Sequence, residues 1–199
     1  MFRASRLIPA GIALLCTALV LSACGGSADV PAVQPAFQPT ATVKDLMLSV
    51  VDPAADVVWL SVTSLVTRDG LIETAPETDE EWNDVRKGAI ALVESANLLQ
   101  IPGRHVAAPG EISEVPGVEL EPSEMEELIE QDRASWNMRA NALHDAALEA
   151  LLAIEAHDAD KVFEVGEHIE RACENCHTQY WYPNERIPTA PTELIRTGE

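Results

Sequence analysis

Cys173-Glu174-Asn175-Cys176-His177-Thr178-Gln179-Tyr180 is the most informative run of the chain. Its first five residues spell CxxCH. Two thiols and an adjacent imidazole at this spacing are what covalent attachment of a c-type haem requires. The cysteines add to the two vinyl groups, and the histidine becomes an axial ligand of the iron. On a helix, residues i, i+3 and i+4 share one face, so Cys173, Cys176 and His177 can address one flat macrocycle. A zinc site would need further Cys or His ligands at comparable spacing, and the chain has none. A thiol–disulfide pair would have no need of His177. The expectation is one covalent haem c.

Working outward, the helix carrying the motif starts after Asp158 or Asp160 and runs to about Tyr180. Val162, Gly166, Ile169, Cys173, Cys176, His177 and Tyr180 fall on one face of it. A long helix precedes it. Ser123 and Glu126 fit a capping box, and Ile129, Asp132, Trp136, Ala140, Leu143, Ala147, Leu151 and Ile154 continue one face to His157. Unbroken, this is about 33 residues and roughly 50 Å. Before it, Ile101 to Pro122 is a loop rich in Pro and Gly. Thr78 and Glu81 open another helix over about Asp79 to Gln100, with Trp82, Val85, Ala89, Leu92, Ala96 and Leu99 along its seam. The first helical segment covers about Val43 to Thr67, with Leu46, Met47, Val50, Ala54, Val57, Val58, Ser61 and Leu65 as its stripe. Pro53 interrupts that segment: either Asp52-Pro53 starts a fresh helix or Pro53 kinks a longer one. No strand-like alternation with hairpin turn signals is evident. Four amphipathic helices joined by short or moderate loops predict an all-α fold, an antiparallel up-down-up-down four-helix bundle with haem held between helices.

The chain resembles the class II c-type cytochromes, the cytochrome c prime family. The resemblance rests on CxxCH lying in the last of four helices and on an aromatic, Tyr180, three residues after the histidine. It covers about residues 43–182, strongly at the motif and loosely elsewhere. It implies that His177 is the proximal ligand and that the distal residue comes from the first helix. Many members carry Arg or Lys four residues after the haem histidine, where this chain has Trp181. An apolar distal residue leaves the iron five-coordinate and able to take up nitric oxide or carbon monoxide. A methionine makes it six-coordinate and suited to electron transfer.

Met47 is the candidate distal ligand, a soft thioether that raises the reduction potential relative to bis-histidine ligation. A methionine on an apolar stripe is otherwise core filler. Met125 and Met138 are weaker candidates. Arg104, beside His105 in the long loop, is a candidate for contact with a haem propionate. His168 is expected in solvent, His144 at a helix boundary and His157 at a helix junction. Trp59, Trp82, Trp136 and Trp181 are expected mostly in the core. Glu124, Glu126, Glu127 and Glu130 read as a solvated face that complements the helix dipole. The leading function is electron carriage with His177 and Met47 as axial ligands, followed by five-coordinate gas binding, then a thiol oxidoreductase using Cys173 and Cys176. No nucleophile–base pair, phosphate loop or second metal cluster is visible, so an enzyme is not expected.

Address and charge agree with the motif. Residues 1–23 read as a signal segment: Arg3 and Arg6, an apolar run from Leu7 to Leu21, then Leu21-Ser22-Ala23-Cys24, which resembles the lipobox of bacterial lipoproteins. That resemblance implies cleavage before Cys24 and acylation of it, hence a lipid anchor on the periplasmic side of a bacterial membrane. Residues 24–42 form a mobile tether with Pro31, Pro35 and Pro39, residues 43–182 the cytochrome domain, and residues 183–199 a frayed tail. The net charge is −20 over the whole chain, and loss of Arg3 and Arg6 with the signal makes it −22. Such a field repels nucleic acid and favours a basic redox partner. A homodimer is left open. Replacing Cys24 with Ser should leave an uncleaved or soluble product. Intact mass spectrometry of the wild type showing an unmodified Cys24 at the mature terminus would remove the anchor.

Overall fold

A computed structural model describes residues 36–183. The signal segment 1–23, Cys24, the tether as far as residue 35 and the tail from residue 184 lie outside the described residues. The described chain is mostly helical. It comprises α1 (Val43–Leu46), a π-helical turn (Met47–Val51), α2 (Asp52–Trp59), a hairpin of β1 (Thr63–Thr67) and β2 (Gly70–Thr74), α3 (Asp79–Leu99), α4 (Pro122–Gln131), α5 (Arg133–Glu155) and α6 (Ala159–Tyr180).

Of the two expectations for Pro53 the structure is nearer the first: α2 begins at Asp52 with Pro53 in its first turn, but the preceding residue, Val51, stands at the cap and the backbone runs into α2 without leaving helical geometry. Proline has no N–H, and its ring clashes with the carbonyl four residues back. The chain absorbs this by widening to a π turn just upstream, while Leu46, Met47, Val51 and Asp52 all keep right-handed helical dihedrals. One extra residue per turn shifts the register. The inward stripe therefore steps from Leu46 to Val51, a stride of five, and on to Ala54, Ala55 and Val58. Val51 and Ala55 are 4% and 2% exposed, whereas the expected Val57 is 41% exposed.

The segment does not stay helical to Thr67. It ends at Trp59, and β1 and β2 pair antiparallel with Leu65 opposite Ile72 and Thr67 opposite Gly70. The β-branched residues Thr63, Val66, Thr67, Ile72 and Thr74 favour extended backbone. Arg68-Asp69 forms the two-residue turn, and Gly70 opens β2 at φ 132°, a conformation that L side chains rarely adopt. The small sheet is the departure from an all-α chain.

The long helix expected from Ser123 is broken in two. Asp132 leaves helical geometry at φ −137°, ψ 70°, and its carboxylate accepts the Ser135 N–H at 2.9 Å, capping α5. The cap of α4 also falls two residues earlier than expected, on Glu121 with Glu124. Glu126 is occupied elsewhere, accepting the Val106 N–H at 2.8 Å. By contrast, α3 begins with the expected Thr78–Glu81 capping box, and its six seam residues are all buried. Asp158 caps α6, accepting the Lys161 N–H at 3.0 Å.

Helix α2 packs against α3 and α6, and α5 packs against the same two helices. Small side chains allow close approach: Ala89, Ala96, Ala147 and Ala150 are fully buried. At Gly88 on α3 a Cβ would lie 2.9 Å from Val57 Cβ and 2.7 Å from Val57 Cγ1. Gly88→Ala should therefore force α2 away from α3 and destabilise the fold by about 1–3 kcal/mol, the usual cost of overpacking, read as a fall in the denaturation midpoint.

Candidate functional site

Helix α6 brings Cys173, Cys176 and His177 to a cleft of about 650 Å³. Met47, Val51 and Asp52 line it from the π turn and the start of α2; Trp136 and Arg139 line it from α5. Such a volume is in the range of cofactor and ligand sites. A smaller cavity of about 210 Å³ shares Met47, Trp136, Cys176 and His177 and continues to Met125 and Ile129. The motif also separates two hydrophobic clusters. Cys173 packs against the larger, built on Leu92, Ala147, Val165 and Ile169. Cys176 packs against the smaller, built on Leu46, Leu99, Trp136 and Tyr180.

One part of the cleft is bounded by Trp59, whose Nε1–H donates to the Gly166 carbonyl at 3.1 Å. Elsewhere the long loop ties helix ends together. Val43 and Lys44 N–H donate to the carbonyls of His105 and Val106 at 2.8 and 2.9 Å, and Leu120 N–H donates to Trp181 at 2.8 Å. The loop thus joins the start of α1 to the end of α6.

His177 is half-buried. Trp181 stands edge-on to its ring at 5.1 Å between centroids, and Tyr182 lies at 5.8 Å. Nδ1 is 3.9 Å from a Glu174 oxygen, and that same oxygen accepts the Tyr182 hydroxyl at 2.7 Å. Burial lowers the His177 pKa, against the opposing pull of Glu174 and Asp52. A neutral imidazole is the form that binds a metal. Burial likewise raises both thiols: Cys173 to about 11, aided by Glu174 and Asp52, and Cys176 to about 12, against the opposing charge of Arg139. Such thiols carry little thiolate at neutral pH and are poor redox nucleophiles.

The other candidates divide clearly. Met47 comes to the same cleft as the motif. Arg104 does not line it: Nε donates to the Leu98 carbonyl at 3.2 Å and Nη1 to the Ala41 carbonyl. His105 lies 3.2 Å from Glu126. Met138 is exposed. His168 pairs with Glu149 at 2.8 Å rather than standing free in solvent, and His144 lies 3.1 Å from Asp145. His157, in a left-handed turn, stacks on Trp82 at 4.9 Å. Trp59, Trp136 and Trp181 line the cleft, whereas Trp82 does not.

Two residues of the site escape a reading by helix face alone. Tyr182 lies beyond the end of α6. Arg139 is on α5, three residues after Trp136 and one before Ala140, beside the apolar stripe. The signal that points to Arg139 is a lone cation one position away from that stripe. Among the described residues no three His, Cys, Asp or Glu side chains converge as a metal-binding group, and no helix is long and apolar enough to cross a membrane. Comparison with family models, with curated proteins and with solved structures finds no match.

The raised thiol pKa values have a measurable consequence. In protein made without attached haem, iodoacetamide should react slowly with Cys173 and Cys176 at pH 8. The rate should climb through pH 10 to 11 as thiolate forms. An unfolded control should reach its plateau near the ordinary thiol pKa of about 8.5.

Proposed function

We propose that the chain is a c-type cytochrome of the class II kind, a four-helix bundle that carries one covalent haem and transfers electrons. The observation that carries this reading is the meeting of CxxCH and Met47 on one cleft. In this reading Cys173 and Cys176 hold the macrocycle through thioethers, His177 is the proximal ligand and Met47 the distal one. A haem iron takes four ligands from the macrocycle and only one or two from the chain, so it needs no cluster of three protein ligands. When bound, the group supplies one-electron chemistry, with its potential set by axial ligands, burial and nearby charge.

The residues present fit the group. The cleft has the volume, its neighbouring clusters are apolar, and burial favours the neutral form of His177. The buried Nε of Arg139 has no hydrogen-bond partner in the protein, a polar atom left for something else in the cleft. Trp181 and Tyr182 stand against the imidazole and restrict its rotation. The pKa values near 11 and 12 weigh against a thiol oxidoreductase, since little thiolate is available at neutral pH.

The chain is further proposed to be anchored through acylated Cys24 on the periplasmic side of a bacterial membrane, with no enzymatic activity and no nucleic-acid partner. Its net charge of −20 supports a basic redox partner whose association slows as salt rises.

The colour should stay with the polypeptide through acid–acetone extraction, and the Cys173→Ala, Cys176→Ala double variant should lose it. With Met47 bound to iron, the ferric protein should show the far-red Fe–S(Met) band, and the reduced protein should resist carbon monoxide. Met47→Ala should then bind carbon monoxide readily, become high-spin and have a lower potential. Rapid carbon monoxide binding by the wild type, unchanged in Met47→Ala, would replace electron transfer with five-coordinate gas binding.

A further inference from the structure

Arg139 is the cation of this cleft. It reaches from α5 to α6, where Nη1 donates to the Asn175 carbonyl at 2.7 Å, between the two cysteines of the motif. Its guanidinium lies 6.0 Å from the centroid of the Tyr180 ring. Its Nε is buried and unpartnered. No ion pair joins it to a carboxylate among the described residues, although the chain carries 33 Asp and Glu. Arg104, which holds Leu98 and Ala41, and Arg133, which donates to the Gln100 carbonyl at 3.0 Å and whose Nε is likewise buried without a partner, do not line the cleft. Across the same cleft stand the carboxylates Asp52, Glu167, Glu170 and Glu174.

We infer that Arg139 sets the redox poise of the site by holding a fixed positive charge beside Cys176 that favours reduced over oxidised iron. The inference rests on the haem reading given above. The vinyl-derived thioethers and the propionates lie on opposite edges of a haem. A guanidinium held at the cysteines therefore acts by its field rather than by pairing with a propionate. Oxidation adds one positive charge at the iron, and a neighbouring cation opposes it. The charge is fixed in place because the Asn175 carbonyl holds Nη1 at 2.7 Å and prevents the guanidinium from swinging out. Asp52, Glu170 and Glu174 act in the opposite sense, so the poise is a balance across the cleft. Arg139 brings a positive charge to the C-terminal half of α6 from another helix.

The test is the midpoint potential of the haem-loaded protein, measured by spectroelectrochemical titration at fixed pH and ionic strength. Arg139→Gln keeps a donor for the Asn175 carbonyl and removes the charge. Its potential should fall, lowering the reduced-to-oxidised ratio at a given applied potential by about tenfold. That is the size a unit charge exerts over roughly 10 Å at an effective dielectric constant near 20. Arg139→Lys should stay near the wild type, and Arg133→Gln, on the same helix but outside the cleft, should not move it. An unchanged potential in Arg139→Gln, or equal falls in the Gln and Lys variants, would overturn the inference. Should Arg139→Gln fail to fold, Arg139→Met removes the charge and keeps the apolar stem; a lowered potential there supports the inference and an unmoved one overturns it. If the wild type carries no covalent haem, the haem reading itself fails. If haem is present and the potential does not respond, only the role of Arg139 fails.

Discussion

The hydrogen bond from Trp59 Nε1 to the Gly166 carbonyl governs how the cleft can exist. It pins the end of α2 to the middle of α6 at a point where a Cβ would already crowd the indole, 3.3 Å from Trp59 Cδ1. Trp59 and Gly166 themselves line the cleft, so this contact forms one of its walls, and the lining continues along α6 to Cys173, His177 and Trp181, with Met47 facing from the π turn. The loop over residues 101–121 fastens the ends of α1 and α6 through Val43, Lys44 and Trp181.

Helix α6 serves two purposes on adjoining faces. Val162, Val165, Ile169 and Ala172 close the core, while Cys173, Cys176 and His177 face the cleft. The core stripe ends at Ala172, where bulky aliphatic residues give way to two small polarisable thiols. The cleft is also electrically divided. Asp52, Glu170 and Glu174 raise the Cys173 pKa, whereas Arg139 opposes the rise at Cys176. Arg139 both links α5 to α6 and carries the positive charge of the cleft.

The boundaries of α3 and α6 were legible because the capping residues Thr78, Glu81 and Asp158 act within one turn of where they stand. CxxCH was legible for the same reason: i, i+3 and i+4 converge on any helix, whatever surrounds it. The face of the first helical run was legible in part: Leu46, Ala54 and Val58 are buried as the spacing predicts, but the π turn upstream of Pro53 shifts the register so that Val51 and Ala55 turn inward and Val57 does not. The hairpin over 63–74 was masked by an apolar stripe that continues to Leu65, although Asp69-Gly70 and the run of β-branched residues carried its signal. The break at Asp132 was hidden by an unbroken stripe on either side, and only the capping bond to Ser135 shows where one helix ends and the next begins.

The sequence by itself determined a mostly helical chain, the helix that bears the motif, the inward seam of α3 and the sign of the net charge. These depend on local spacing and composition, which need no partner. Tertiary structure decided the rest: that Met47 meets the motif on one cleft, that Arg104 is tied to Leu98 and Ala41, and that Arg139 turns toward Asn175. The physical reason is that each depends on the distance and rotation between helices far apart in the chain. Those are set by Trp59, Gly88 and Gly166, small or hydrogen-bonding contacts that leave no periodic trace in the sequence.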